Sequence, residues 1–184
     1  NLYAGQETAP TTASAYLPFV KGLDKPVVDI QSSNYGTCAL FNDGTVKCWG
    51  GGNGLGYSSS GTGGDAEGEM EAAPYVDIAG VVELTAGFDH FCARLDTGGV
   101  KCWGRNANCG VGYNCNDYST HMPQDELSLG VSVDKIISTY YGNFAIVDGN
   151  VKSWGYDVNN RLGYSVNSDK AAADASFIFS EVYD

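Results

Sequence analysis

The chain has 184 residues, with 22 acidic against 10 basic side chains and a formal net charge of −12. That length suits one domain with a real core. The acidity argues against a nucleic-acid binder, which needs a cationic footprint, and no apolar run approaches the roughly 18 residues of a spanning helix. Twenty-five glycines and 12 tyrosines beside few charges fit an all-β, turn-rich protein. Asn1 stands where a start methionine would, and no charged-apolar-small leader follows it, so the expectation is a processed or excerpted chain.

Residues 1–15 read as a polar, flexible arm, with Thr8, Thr11, Thr12 and Ser14 as compositional candidates for O-linked sugar. Tyr16-Leu17-Pro18-Phe19-Val20 reads as an edge strand, since proline is tolerated there. Val27 to Ile30 reads as a short buried strand. Next comes Cys38-Ala39-Leu40, a turn at Asn42-Asp43-Gly44, and Val46-Lys47-Cys48-Trp49-Gly50, which together form a hairpin signal. A glycine-rich loop to Gly64 and an acidic loop from Asp65 to Glu71 follow. The cycle then restarts with Pro74 to Ile78, Val81 to Leu84 and a second hairpin from His90 to Gly104. A third hairpin runs from Gly142 to Gly155, and Phe177 to Val182 closes the chain as another apolar strand. Asp43, Asp96 and Asp148 recur at the hairpin turns, where aspartate bonds its own backbone.

Six cysteines favour disulfides over zinc, because no C-x2-C pair or suitable His spacing is present. Cys38 and Cys48, like Cys92 and Cys102, are ten residues apart and symmetric about a hairpin turn. Opposed positions on antiparallel strands lie about 4.5–5.5 Å apart at Cα, within disulfide reach. The third copy loses both members together, to Phe144 and Ser153. Cys109 and Cys115 would close a small loop. Disulfides imply an oxidising compartment, extracellular or periplasmic.

The tryptophans Trp49, Trp103 and Trp154 lie 54 and 51 residues apart. A period of that size with four short strands each is the signature of propeller blades. The second unit carries Val81, Leu84, Gly87, His90, Ala93, Leu95, Gly99, Val100, Trp103, Gly104 and Asn106 in one order. The first repeats it through Val27, Ile30, Ala39, Leu40, Asp43, Gly44, Val46, Trp49 and Gly50, and the third through Ile136, Ala145, Asp148, Gly149, Val151, Trp154 and Gly155. This pattern resembles the regulator of chromosome condensation repeat family, in its secreted, cysteine-containing variety. The resemblance implies a seven-bladed propeller of four-stranded blades; with only three hairpins here, the expectation is an all-β, propeller-like fold of about three four-stranded antiparallel blades plus a spare N-terminal strand. The repeats span roughly residues 27–78, 79–129 and 130–184 within a domain of 16–184. It also implies that His90 is a buried structural residue bonding backbone. The family's nuclear nucleotide-exchange activity has no basis in this acidic, cysteine-paired chain.

No catalytic set, metal site or cofactor is expected. Ser32 and Ser33 form no triad with His90, His121 reads as a loop residue, and Gly50 to Gly54 lacks the lysine and helix of a phosphate loop. The tryptophans read as inter-blade core. Tyr57, Tyr113 and Tyr164, each following a loop glycine, form a candidate ligand face. Three hairpins are too few to close a ring. The leading functional expectation is therefore an extracellular structural protein that self-associates into an oligomer or filament. Its assembly interface would be Tyr16, Leu17, Phe19, Val20, Phe177, Phe179 and Val182. The alternative is a secreted protein- or glycan-binding module.

Overall fold

The computed structural model describes residues 18–57, 63–106, 109–113, 122–123, 125–127, 129, 132–157 and 160–163. Three antiparallel sheets follow one another in sequence. The first holds β1 (Val27–Ser32), β2 (Gly36–Phe41) and β3 (Val46–Gly50). The second follows a helical turn, α1 (Glu69–Ala72), and holds β4 (Val81–Ala86), β5 (His90–Leu95) and β6 (Val100–Gly104). The third holds β7 (Lys135–Ser138), β8 (Gly142–Val147) and β9 (Asn150–Gly155). Each sheet is a meander in strand order, and β1, β4 and β7 neighbour one another. This is the blade-beside-blade arrangement of a propeller.

Turn chemistry sets each register. Asn42-Asp43-Gly44 and Asp96-Thr97-Gly98 are three-residue turns closed by Phe41 N–H to Thr45 O at 2.9 Å and by Leu95 N–H to Gly99 O at 2.8 Å. Gly44 and Gly98 supply the left-handed residue such loops need, at φ 78° and 83°. The third hairpin is shorter, with Asp148 and Gly149 alone between paired Val147 and Asn150, both left-handed at φ 50° and 75°. The resulting registers place Cys38 opposite Cys48 and Cys92 opposite Cys102, and both pairs are bonded at Cα separations of 4.1 Å. Cys109 is also disulfide-bonded, and Cys115 lies outside the described residues.

Strand alternation gives every blade two apolar faces. The rear face of the first blade (Cys38, Leu40, Val46 and Cys48) packs on the front face of the second (Val81, Leu84, Ala93 and Trp103) in one buried cluster. Cys92, Val100 and Cys102 pack in the same way on Ile136, Ala145 and Trp154 of the third. Both disulfides therefore lie inside blade-to-blade interfaces. The front face of the first blade has a different cover. Ala39, Phe41 and Trp49 pack with Met70 of α1 and with Val20, Leu23 and Tyr75. Lys25 pins this segment, bonding Asp43 at 2.7 Å and Thr45 Oγ1 at 3.0 Å while lying 4.2 Å from the Tyr75 ring centre.

Four expectations change. Among the described residues of the first two blades, the fourth segment makes one backbone bond to the outer strand: Val76 N–H to Val46 O at 2.9 Å, and Leu127 N–H to Val100 O at 2.8 Å. Ile78 N–H and Leu129 N–H then turn back onto Val76 O and Leu127 O, which ends the pairing. The spare N-terminal strand is irregular over its described residues 18–20, of which Val20 alone packs on the blade face. The acidic loop is folded: the Glu69 carboxylate accepts Gly64, Asp65 and Ala66 N–H at 3.0, 3.0 and 3.2 Å, which organises the entry to α1. Finally, β1 is not buried. Val28 is 61% and Ile30 55% exposed, since no described blade stands in front of them.

Removing either staple tests its role. Cys38→Ala/Cys48→Ala should lower stability by about 3 kcal/mol, from the chain entropy released over a short loop. A urea midpoint equal to that of the parent chain would show that the pair is not a staple.

Candidate binding face

The turns between the first two strands of each blade lie at one end of the sheets, and their backbones are fixed on every side. Ser33 N–H bonds Gly36 O at 2.8 Å, Gly87 N–H bonds His90 O at 2.9 Å, and Thr139 N–H bonds Gly142 O at 2.7 Å. Ser33 and Thr139 hydroxyls also accept the Gly36 and Gly142 N–H groups at 3.0 and 3.2 Å, the local bonding that short hydroxyl side chains favour in turns. Successive turns are tied together by Asn34 N–H to Phe88 O at 2.8 Å and Phe88 N–H to Tyr140 O at 3.0 Å. Each turn is also tied to the segment after its blade's tryptophan. Gly51 N–H reaches Tyr35 O at 2.7 Å, Arg105 N–H reaches Asp89 O at 2.7 Å, and Tyr156 N–H reaches Tyr141 O at 2.9 Å. That contact explains the glycine after every tryptophan. Gly50, Gly104 and Gly155 sit at φ 107°, 111° and 113°, and a Cβ on them would lie 2.6, 2.6 and 2.3 Å from those same carbonyl oxygens.

These turns hold out a continuous row of aromatic rings. Tyr35 meets Phe88 at 5.8 Å, Phe88 meets Tyr140 at 4.3 Å, Tyr140 meets Tyr141 at 4.2 Å, and Tyr141 meets Tyr156 at 5.9 Å. Tyr35 and Tyr140 are 54% and 50% exposed, and the other three are half-buried. The Tyr141 hydroxyl hydrogen-bonds Tyr140 and pushes its ionisation further up, so the phenol of Tyr140 stays neutral at physiological pH. Asp89 lies under the row, 5% exposed, and accepts Asn53 N–H at 3.4 Å and Asn53 Nδ2 at 3.4 Å.

Beneath the rim, a buried polar knot locks the second blade to the third. Asn143 Oδ1 accepts from Ser138 Oγ at 2.6 Å and pairs with His90 Nε2 at 3.0 Å, while Asn143 Nδ2 donates to Gly110 O at 2.7 Å. His90 is buried, as the family resemblance implies, yet its partner is a side chain of the next blade and not backbone. Its ring lies 2.0 Å from where a Cβ on Gly87 would be. The repeats also clamp their outer loops: Asn106 accepts Val111 N–H at 3.1 Å, and Asp157 accepts Leu162 N–H at 2.8 Å.

Of the three tyrosines expected to form a ligand face, the two described ones pack inward. Tyr57 donates to Cys48 O at 3.2 Å and packs on the first inter-blade core. Tyr113 packs on the second core with its hydroxyl buried, and burial raises its ionisation. Loop glycines fold both rings inward. Tyr164 lies outside the described residues, as do His121, Tyr16, Leu17, Phe177, Phe179 and Val182. Phe19 is 95% exposed. The three tryptophans are buried, and Trp103 Nε1 donates across the interface to Gly54 O at 3.0 Å. Among the described residues no group of three or more His, Cys, Asp or Glu side chains is placed to hold a metal ion. The sequence did carry a signal for the rim, in that an aromatic residue precedes the Gly or His opening the second strand of every blade (Tyr35, Phe88, Tyr140-Tyr141).

Comparison with known proteins follows this geometry. The model of the regulator of chromosome condensation (RCC1) repeat matches residues 27–56 and 81–110. Those two stretches are similar to RCC1 repeats. Solved structures share the fold. The human WBSCR16 structure aligns with a TM-score of 0.71 at 19% identity, over 91% of this chain and 42% of that one. The yeast complex of Kap60 with RCC1 (Prp20) aligns with a TM-score of 0.67 at 16% identity, over 85% and 37%. Prp20p of Saccharomyces cerevisiae, whose structure was described with its binding to Gsp1p and histones, aligns with a TM-score of 0.61 at 17% identity, over 78% and 36%. The chain thus spans about two-fifths of the length of these structures.

The knot sets a pH dependence. Burial lowers the His90 pKa below its ordinary value, so the folded chain prefers neutral imidazole. The unfolded chain takes up a proton near pH 6.5 that the folded one refuses. The stability contributed is present above about pH 6.5 and is lost as pH falls through that range. Urea midpoints should therefore drop between pH 7.5 and pH 5, and His90→Gln should flatten that drop. An equal drop in the variant would assign it elsewhere.

Proposed function

We propose that this chain is a non-enzymatic, extracellular binding module whose RCC1-type blades present the aromatic rim to a partner protein. The observation that carries this is the row of five touching rings, two of them half exposed. Solvent-facing aromatics on a fixed backbone are what protein interfaces enrich. The oxidised cysteines support an extracellular setting. The yeast relatives' association with Kap60, Gsp1p and histones supports protein binding by analogy of fold, while the net charge of −12 argues against direct contact with nucleic acid.

Tyr35→Ala/Tyr140→Ala tests the reading, because both side chains are half exposed and their loss should leave the urea midpoint within about 0.5 kcal/mol of the parent. Immobilised parent chain should retain a specific protein from the extracellular fluid of its source, and the variant should lose it. Equal retention by both sinks the proposal.

A second reading, self-association, draws on a different observation. Ile30 on the first blade and Ile137 and Val151 on the third are 55%, 46% and 45% exposed, on the two faces that elsewhere bury each other. Copies joined head to tail through those faces would form an oligomer or filament. A strictly monomeric mass at micromolar concentration by light scattering would end that reading.

A further inference from the structure

We propose that the front face of the first blade docks on the rear face of the third blade of a second copy of this chain, repeating the contact that each blade makes with the next. The inference rests on the self-association reading and names its surfaces and its register.

The first observation is the seat of the N-terminal segment, which lies where the fourth segment of a preceding blade would lie. Pro18-Phe19-Val20 repeats the order of Pro74-Tyr75-Val76, the fourth segment of the first blade. Lys47 on β3 donates to Gly22 O at 2.9 Å, just as Lys152 on β9 donates to Leu129 O. Gly22 follows Val20 at the same distance in the chain as Leu129 follows Leu127. Val20 therefore holds the place of Val76 and Leu127, whose N–H groups bond the outer strands at Val46 O and Val100 O. The third blade has the matching acceptor in Val151, which pairs with Ile146 as Val46 pairs with Leu40 and Val100 with Arg94. Val46 and Val100 are fully buried, whereas Val151 is 45% exposed. Val20 N–H of one copy thus finds Val151 O of another, a segment added to an open strand edge.

The second observation is apolar side chains left uncovered on the same two faces. Ile30 on the first blade is exposed where Leu84 and Ile136 are buried. On the rear of the third blade, Ile137 takes the register position of Gln31 and Thr85. The inner seams carry polar side chains there, and Thr85 Oγ1 accepts Ser138 N–H across one of them at 2.7 Å. The open end carries an isoleucine, 46% exposed. Apolar surface of this kind marks a contact.

The third observation is that two backbone ladders between blades run out at these faces. Asn34 N–H bonds Phe88 O and Phe88 N–H bonds Tyr140 O. The next step would be Tyr140 N–H on Asn34 O of a second copy. At the other end of the sheets, Val81 N–H bonds Gly44 O at 3.1 Å and Val133 N–H bonds Gly98 O at 2.9 Å. The next step would be Val27 N–H of that second copy on Gly149 O. Met70 of α1 already covers the Trp49 corner of the front face, so the docking copy seats on Ile30, Val27 and the N-terminal segment. The two faces differ, so every copy keeps one of each, and contact runs head to tail.

Light scattering and sedimentation of the whole chain test this at physiological ionic strength, where salt screens the repulsion of a −12 charge. Mass should rise with concentration through the micromolar range. Ile30→Asp blocks the front face and Val151→Asp the rear. Both side chains are about half exposed, so the urea midpoints should match the parent. Each variant alone should associate about tenfold more weakly or worse, the scale of losing one apolar anchor. An equimolar mixture of the two should recover a dimer and stop there, since each supplies the face that the other lacks. Should Ile30→Asp fail to fold, Ile30→Thr keeps a strand-forming side chain and repeats the arm. A parent chain that stays monomeric would overturn both this contact and the self-association reading. Association of the variants equal to the parent, or a mixture that stays monomeric while the parent associates, would overturn this contact and leave self-association through other surfaces.

Discussion

Leu84 and Ile136 are each 3% exposed and Ile30 is 55% exposed, although all three hold one position in one repeat. The difference is whether a blade stands in front. A three-stranded meander has two apolar faces and no core of its own, so every blade depends on the rear face of the one before it. That dependence fixes where the large side chains sit. Trp103 and Trp154 are buried in the blade-to-blade seams, and the disulfides close the opposite walls of the same seams. The first blade meets the requirement by other means. Met70 and the segment from Val20 to Leu23 cover Trp49, but they do not reach Ile30 or Val28.

The rim follows from the same stacking. Placing blades side by side brings equivalent turns within backbone hydrogen-bond distance, Asn34 to Phe88 and Phe88 to Tyr140. Residues more than fifty positions apart in the chain thereby become adjacent, and their rings touch. No single turn could offer such a surface. The aromatic row is a product of the repeat, and its rigidity is a product of the bonds that tie each turn to its neighbour and to the glycine-led segment after each tryptophan. The variation among the turns matters too. Asp89 stands where the other two blades carry Tyr35 and Tyr141, and its carboxylate holds Asn53 beneath the rings.

Much of the fold was legible because its determinants are local and repeated. The Asp-Gly turns announced the hairpins, the symmetric cysteines announced their register, and the tryptophan spacing announced the blades. The fourth strands were over-read. Residues 74–78 and the segment at Leu127 and Leu129 have the composition of strands, yet among the described residues each makes one bond to the outer strand and then turns back on itself. The inward packing of two of the candidate tyrosines was hidden for a related reason. Tyr57 and Tyr113 follow loop glycines and looked exposed, but loop clamps such as Asn106 on Val111 bend those loops over the seams and carry the tyrosines inward. Helix α1 left no periodic signal, because a single turn organised by Glu69 is too short to show one.

The sequence by itself determined the strands, the hairpin registers, the two disulfides and the order of the blades, because each of these is decided by neighbours within about fifteen residues. It also bounded function, through acidity and oxidised cysteines. Only the tertiary structure decided which face of each blade is covered, where His90 finds its partner, and which aromatic residues meet in a row. Those outcomes depend on contacts between repeats some fifty residues apart, and a side chain's fate there is set by the blade beside it and not by the residues beside it in the chain.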